Sequence, residues 1–101
     1  MMIEVLYVPG CPNYEPAVER LQAVLESESL QAEIRSVPIS SDEQAKALLF
    51  PGSPTIRIDG EDVEPAETNI AGLACRVYAN RTGVPSEEVL RLAVARAVDV
   101  E

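Results

Sequence analysis

The sequence predicts an α/β fold, a four-stranded mixed sheet with two parallel strands and an antiparallel hairpin, flanked by helices. Three observations predict it. The apolar run at residues 2–8 is typical of a central strand that is buried on both faces. Asp59-Gly60 joins two short strand-like runs, and this dipeptide favours a tight hairpin turn. Apolar residues at helical spacing follow the first run and also close the chain, which predicts helices packed on the sheet.

The first strand and the helix after it form the clearest pair of elements. The strand covers residues 2–8, and Pro9 and Gly10 end it. Asn13 is a candidate N-cap, and Pro16 falls in the first helical turn, where a missing N–H group costs little. The helix then carries one apolar stripe, made of Ala17, Val18, Leu21, Val24 and Leu25.

A second strand and a short helix come next. Residues 31–39 alternate between small or apolar and charged positions, which predicts a half-exposed strand, and Pro38 would blunt an exposed sheet edge. Ser41 and Gln44 have the spacing of a capping box, in which each side chain bonds to a backbone N–H near the helix start. We therefore expect a helix from this point through about Phe50.

The second half of the chain predicts a hairpin and two more helices. Residues 53–65 form the hairpin, and a helix is expected within residues 66–82, over the stretch "NIAGLACRVYA". Pro85 and Ser86 introduce the final helix, whose apolar stripe contains Val89, Leu90, Ala93, Val94 and Ala97. The predicted order is β-α-β-α-β-β-α-α, in a single domain over residues 1–101.

Charge and composition exclude several classes of protein. The formal net charge of −9 repels phosphate backbones and anionic lipid headgroups, so neither nucleic acid nor a membrane is an expected partner. We find no signal peptide and no membrane-spanning run, which predicts a soluble cytoplasmic protein. The chain contains no histidine, the commonest general base and zinc ligand. No resident metal or other cofactor is expected, and the oligomeric state stays open.

Cys11 is the first candidate functional residue. It stands between a strand and a helix in "GCPNY", and backbone N–H groups at a helix start stabilise an anion. This position favours the thiolate, which is the reactive form of cysteine. The alternative is a small buried hydrophobic residue, the usual role of a free cysteine. The turn formed by Pro9 and Gly10 is a poor place for core packing, which favours the reactive interpretation.

Ser53-Pro54-Thr55 is the second candidate feature. A proline that opens a strand is a candidate for a cis peptide bond, because X–Pro bonds have only a small preference for trans. An ordinary trans proline is the alternative. The position of Pro54, two elements after Cys11 and just before the hairpin, favours the cis form.

With these motifs in place, the sequence resembles the thioredoxin-like superfamily over nearly its whole length. "GCPNY", "GSPTIRIDG" and "GLACRVY" look like segments of small stand-alone bacterial thioredoxin-like proteins, some of which are labelled as relatives of organomercury lyase. The resemblance implies that Pro54 is cis and faces Cys11. It further implies that Ser53 offers backbone hydrogen bonds to a bound protein or small-molecule thiol or disulfide, in a binding loop with Pro54 and Thr55 and with Pro12 nearby.

The chain departs from thioredoxin at two positions. Tyr14 stands where the second cysteine of the redox motif would be, and Val5 stands where thioredoxin has a buried acid. Without the second cysteine and the buried acid, the chain is not expected to act as an ordinary dithiol reductase. The hydroxyl of Tyr14 could bond to a thiolate or a partner, or its ring could cover Cys11, and covering is favoured because side chains at helix starts more often pack than react.

Cys75 is the only other thiol. On the predicted helix it would lie beside the buried face, from which it could reach Cys11 and resolve a mixed disulfide. Otherwise an external thiol such as glutathione would do so, and Cys75 would be structural or incidental.

Three functions remain open from the sequence. The first is a thiol redox protein, of the monothiol oxidoreductase type if it is an enzyme, with Cys11 as nucleophile and Cys75 or an external thiol resolving. The second is a non-enzymatic module that binds a protein partner. The third is a carrier of a soft ion such as mercury or copper(I), which two close thiolates would suit.

Overall fold

The structure, a computed structural model, confirms an α/β architecture in the described residues, which are 1–65 and 71–100. Within this part of the chain, no helix is both long enough and apolar enough to cross a membrane. The elements in chain order are β1 (Met2–Tyr7), α1 (Tyr14–Ser27), β2 (Glu33–Pro38), α2 (Asp42–Ala47), β3 (Thr55–Ile58), β4 (Glu61–Asp62) and α3 (Glu87–Val100).

The four strands form one mixed sheet in the order β2-β1-β3-β4. β1 is central, pairing in parallel with β2 and antiparallel with β3, and β3 pairs antiparallel with β4. The turn between β3 and β4 has positive φ angles of 51° at Asp59 and 86° at Gly60, as the dipeptide predicts. The predicted parallel pair and the hairpin are therefore both confirmed.

Two groups of buried side chains explain why β1 is apolar on both faces. On one face, Ile3 and Val5 lie in the larger core with the apolar stripes of α1 and α3. On the other face, Leu6 packs in a smaller core with Ile39, Ala45 and Phe50. A strand that alternates between two cores must be apolar at successive positions, which is the pattern of residues 2–8.

The helix starts agree with the sequence in position, and two details differ from it. Asn13 takes the N-cap position of α1 but makes no side-chain capping hydrogen bond. Ser41 does cap α2, accepting a hydrogen bond from the Gln44 N–H at 3.1 Å. This helix ends at Ala47, before the predicted boundary, because the Phe50 N–H turns back to the Ala45 carbonyl at 2.8 Å and closes the helix.

The predicted helix over "NIAGLACRVYA" is wrong for its described part, residues 71–79, which are not helical. Residues 69 and 70 lie outside the described residues. Burial here alternates with a period of two, since Arg76 and Tyr78 are buried whereas Cys75 and Val77 are exposed. Partners distant in sequence take the backbone hydrogen bonds that a helix would have used, so tertiary contacts override local propensity.

Candidate functional site

Cys11 lies in a tight turn between β1 and α1. Its N–H donates to the Val8 carbonyl at 3.0 Å, and its own carbonyl accepts from the Tyr14 N–H at 3.3 Å. Gly10 allows this turn with a φ of 88°. The side chain of Cys11 is half-buried and is a free thiol, at the N-terminal end of α1 as the sequence predicts.

Ser53 connects this turn to the loop before β3. Its hydroxyl accepts a hydrogen bond from the Val8 N–H at 2.9 Å, although the two residues are far apart in sequence. The peptide bond between Ser53 and Pro54 is cis, as predicted. Ser53 is nearly fully buried, so its position relative to the Cys11 turn is fixed by contacts on all sides.

The segment that carries Cys75 is held next to the Cys11 turn by backbone hydrogen bonds to Ser53. The Ser53 N–H donates to the Ala74 carbonyl at 2.9 Å, and the Arg76 N–H donates to the Ser53 carbonyl at 2.9 Å. These two bonds form an isolated parallel bridge between Ser53 and Cys75. The backbone groups predicted to bind a partner are thus already paired within the chain.

The close approach of this segment depends on Gly52. A Cβ atom there would lie 3.1 Å from both Cα and Cβ of Arg76 and 3.2 Å from the Ala74 carbonyl oxygen. The φ of Gly52 is 140°, a conformation that residues with side chains rarely adopt. Glycine therefore meets both the conformational and the packing requirement for holding residues 74–76 against the loop.

Cys11 and Cys75 both line a cavity of about 200 Å³. It is lined by residues 8–12, by Ser53 and by residues 73–75, so Cys11 and Cys75 line it from two different segments of the chain. Every described residue that lines it is uncharged. Cys75 is exposed and, like Cys11, unoxidised. The sequence predicted Cys75 beside the buried face of a helix, whereas a non-helical segment that is bridged to Ser53 places Cys75 at this cavity.

The other predicted site residues divide into two groups. Pro12 lines the cavity together with Ser53. Pro54 and Thr55 are fully buried and are not among the described lining residues. Tyr14 packs its ring on Tyr7, with centroids 4.1 Å apart.

The Tyr14 hydroxyl forms a 2.5 Å hydrogen bond with the Ser36 hydroxyl on β2. This contact places the phenol against the edge strand, and Tyr14 is not among the described residues that line the cavity of the two thiols. Tyr14 therefore packs against Tyr7 and bonds to β2, and the interpretation that its ring covers Cys11 stays a prediction.

Tyr78 is a buried residue whose role could not be read from the sequence. Its hydroxyl donates to the Pro54 carbonyl at 2.5 Å. Burial raises the pKa of this phenol far above its ordinary value of 10.0, with the Arg76 guanidinium acting in the opposite direction. The hydroxyl therefore stays protonated and donating at neutral pH, which ties the segment after Cys75 to the loop that carries Ser53.

A larger cavity, of about 460 Å³, lies between the β3–β4 hairpin and α3. Its acidic side chains include Asp59 and Asp62, which already accept hydrogen bonds from the Met2 N–H and from Arg76. The described residues that line it include no thiol, hydroxyl or amine nucleophile. Size alone would favour this cavity, but the chemistry favours the smaller one.

Comparisons of the chain with protein-family models, with curated proteins and with solved structures gave no significant match. The resemblance to the thioredoxin-like superfamily therefore rests on the residues of this chain. Within the described residues, no group of three or more histidine, cysteine or acidic side chains could hold a metal ion. The chemistry available at the small cavity is that of two thiols.

Proposed function

We propose that this chain is a thioredoxin-like thiol redox protein in which Cys11 is the nucleophile and Cys75 the resolving thiol. The observation that carries the proposal is that both free thiols line one cavity. The sheet order β2-β1-β3-β4, with a thiol between the central strand and the first helix, supports the fold assignment. The second thiol comes from residues 73–75, far along the chain from the usual motif position, where Tyr14 stands.

The proposed reaction has two exchange steps. The Cys11 thiolate attacks one sulfur of a substrate disulfide, the substrate S–S bond breaks, and the departing thiolate takes up a proton. The Cys75 thiolate then attacks the sulfur of Cys11, a Cys11–Cys75 disulfide forms, and the second substrate thiolate leaves and is protonated. The substrate gains two electrons and the Cys11–Cys75 pair loses two. An external dithiol reductant returns the pair to its starting state.

The character of the cavity favours Cys75 over glutathione as the resolving thiol. Glutathione is an anion, and the described lining residues offer it no cationic side chain. The net charge of −9 adds long-range repulsion. A thiol on the same chain needs no cationic partner and is not repelled by the net charge of the protein. Its effective concentration at the site is on the order of millimolar or higher.

Redox titration tests the proposal. We expect the reduced protein, equilibrated in dithiothreitol buffers of increasing oxidised fraction, to lose both free thiols in a single two-electron transition. Alkylation of the remaining thiols followed by mass spectrometry measures the transition, and peptide mapping should join the peptides that contain Cys11 and Cys75. Neither Cys11→Ser nor Cys75→Ser should show this transition, and both serve as controls.

Two thiols that titrate independently, or that form only disulfides between chains, would contradict the proposal. Such a result would favour the module that binds a protein partner with its thiols incidental. Full retention of partner binding by Cys11→Ser would then support that alternative.

A soft-ion carrier is the second candidate function, because two thiols at one cavity suit a two-coordinate ion such as copper(I) or mercury(II). This function predicts that the reduced protein binds one ion per chain. Titration of copper(I) against a competing chelator would measure it, and binding should be lost equally in Cys11→Ser and Cys75→Ser. Binding that survives either substitution would count against a site built from both thiols.

A further inference from the structure

Arg76 is the only charged side chain that is buried among the described residues, with 6% of its surface exposed. It directly follows Cys75 in the sequence. Burying a guanidinium requires partners for its donors, because an unpaired buried charge is strongly destabilising. Arg76 has such partners on several neighbouring segments.

The guanidinium is held from several sides. It forms a two-pronged ion pair with Asp62, from Nη1 to Oδ2 at 2.7 Å and from Nη2 to Oδ1 at 3.1 Å. Nη1 also donates to the Thr55 hydroxyl at 3.1 Å, and Nη2 donates to the Glu64 carbonyl. Its central carbon lies 4.3 Å from the centroid of the Tyr78 ring. The planar fork is thus fixed in both position and orientation.

These contacts anchor Arg76 to the sheet. Asp62 belongs to β4 and Thr55 to β3, while the Arg76 backbone N–H bonds to Ser53. Arg76 therefore ties residues 74–76 to the rest of the protein twice. Its side chain bonds to the strands β3 and β4, and its backbone bonds to Ser53. Cys75, one residue earlier, has an exposed side chain and lies in the bridge to Ser53 that the Arg76 N–H helps to form.

Stability alone is a weak explanation for such a group. A buried ion pair recovers little more than the cost of removing both charges from water, and an apolar pair of similar volume often serves stability as well. What an ion pair of this geometry does supply is a single defined arrangement of the segment that carries it.

We propose that Arg76, held by Asp62, is a positioning residue that fixes Cys75 at the cavity where it meets Cys11. This inference rests on the proposed function and deepens it. Arg76 does not touch the reacting sulfur atoms. It raises the effective concentration of the Cys75 thiol at Cys11 by keeping residues 74–76 against Ser53. Without this anchor, the segment would spend most of its time away from Cys11.

The experiment measures the equilibrium between the dithiol and the Cys11–Cys75 disulfide in dithiothreitol buffers, using the full chain. We expect Arg76→Gln to lower the equilibrium constant for disulfide formation roughly tenfold, because a less restrained segment lowers the effective concentration of Cys75. Asp62→Asn should lower it in the same direction by a smaller factor, since an amide still accepts one hydrogen bond. Arg76→Lys should restore the charge but not the two-pronged geometry, giving an intermediate value.

Arg91→Gln is the matched control. Arg91 is exposed on α3 and pairs only at the surface with Glu28 and Glu87, so the same chemical change there should leave the disulfide equilibrium unchanged. Urea unfolding of each reduced variant separates positioning from stability. If Arg76→Gln fails to fold, Asp62→Asn and Arg76→Lys provide the comparison.

The outcomes separate the inference from the proposed function. A wild-type chain that forms no Cys11–Cys75 disulfide overturns both. A wild-type chain that forms it, with folded variants at Arg76 and Asp62 whose equilibrium constants equal that of wild type, overturns the positioning role alone. Lower stability of the reduced variants without a change in this constant would assign Arg76 a purely structural role.

Discussion

Replacing Cys75 with serine is expected to trap the protein as a mixed disulfide between Cys11 and its substrate. Without the tethered thiol, only an external thiol can resolve the intermediate. At about 10 µM external thiol the resolving step should slow by at least ~100-fold, since a tethered thiol has an effective concentration on the order of millimolar or higher.

An uncharged aromatic disulfide that releases a coloured thiol provides the measurement. Cys75→Ser should release one equivalent of the coloured thiol and stop with an adduct on Cys11, whereas the wild type should release two equivalents and end as the internal disulfide. Mass spectrometry distinguishes the two products. Cys11→Ser is the matched control and should give no adduct at the serine. A wild type that ends with an adduct on each cysteine, and with no internal disulfide, would show that Cys75 does not resolve the intermediate.

Replacing Phe50 with alanine is expected to lower the free energy of unfolding by about 3–5 kcal/mol. Phe50 is fully buried and fills the smaller core with Leu6 and Ile39, on the face of the sheet opposite α1 and α3. The substitution removes apolar contacts and leaves a cavity that the neighbouring side chains fill only in part. A loss of this size is a large fraction of the stability of a typical small domain.

Urea unfolding of the reduced proteins measures the change, and an unaltered denaturant slope would attribute it to stability alone. The neighbouring Leu49 provides the control because its side chain is 76% exposed and its φ is 51°. Leu49→Gly should raise the free energy of unfolding by up to about 1 kcal/mol, since glycine adopts this conformation without steric cost. A loss at Phe50 of less than about 1 kcal/mol would contradict the assignment of Phe50 to a packed core.

Much of the fold could be predicted because its signals are local. The apolar run of β1, continuous except at Glu4, the Asp59-Gly60 turn and the stripes of α1 and α3 each indicate a backbone geometry through the spacing of side chains. The capping residue Ser41 was equally visible, because a cap bonds to residues only a turn away.

The stretch around Cys75 could not be predicted in the same way. Its apolar residues fit a helical period, yet its backbone forms hydrogen bonds with Ser53. Its charged residue, Arg76, forms an ion pair with Asp62 on β4. Arg76 lies off the apolar stripe of the predicted helix, on the side expected to face solvent, so its charge gave no signal against a helix. Its partner lies 14 residues away, and no periodic pattern identifies such a pair.

The residue pattern alone predicts the α/β architecture, the central position of β1, the hairpin and the place of Cys11 before the first helix. These follow from short-range preferences of the backbone and from the alternation of polar and apolar side chains. The shared cavity of Cys75 and Cys11, in contrast, is visible only in the folded chain. That juxtaposition depends on hydrogen bonds and an ion pair between distant segments, and their energies exist only once the sheet has assembled.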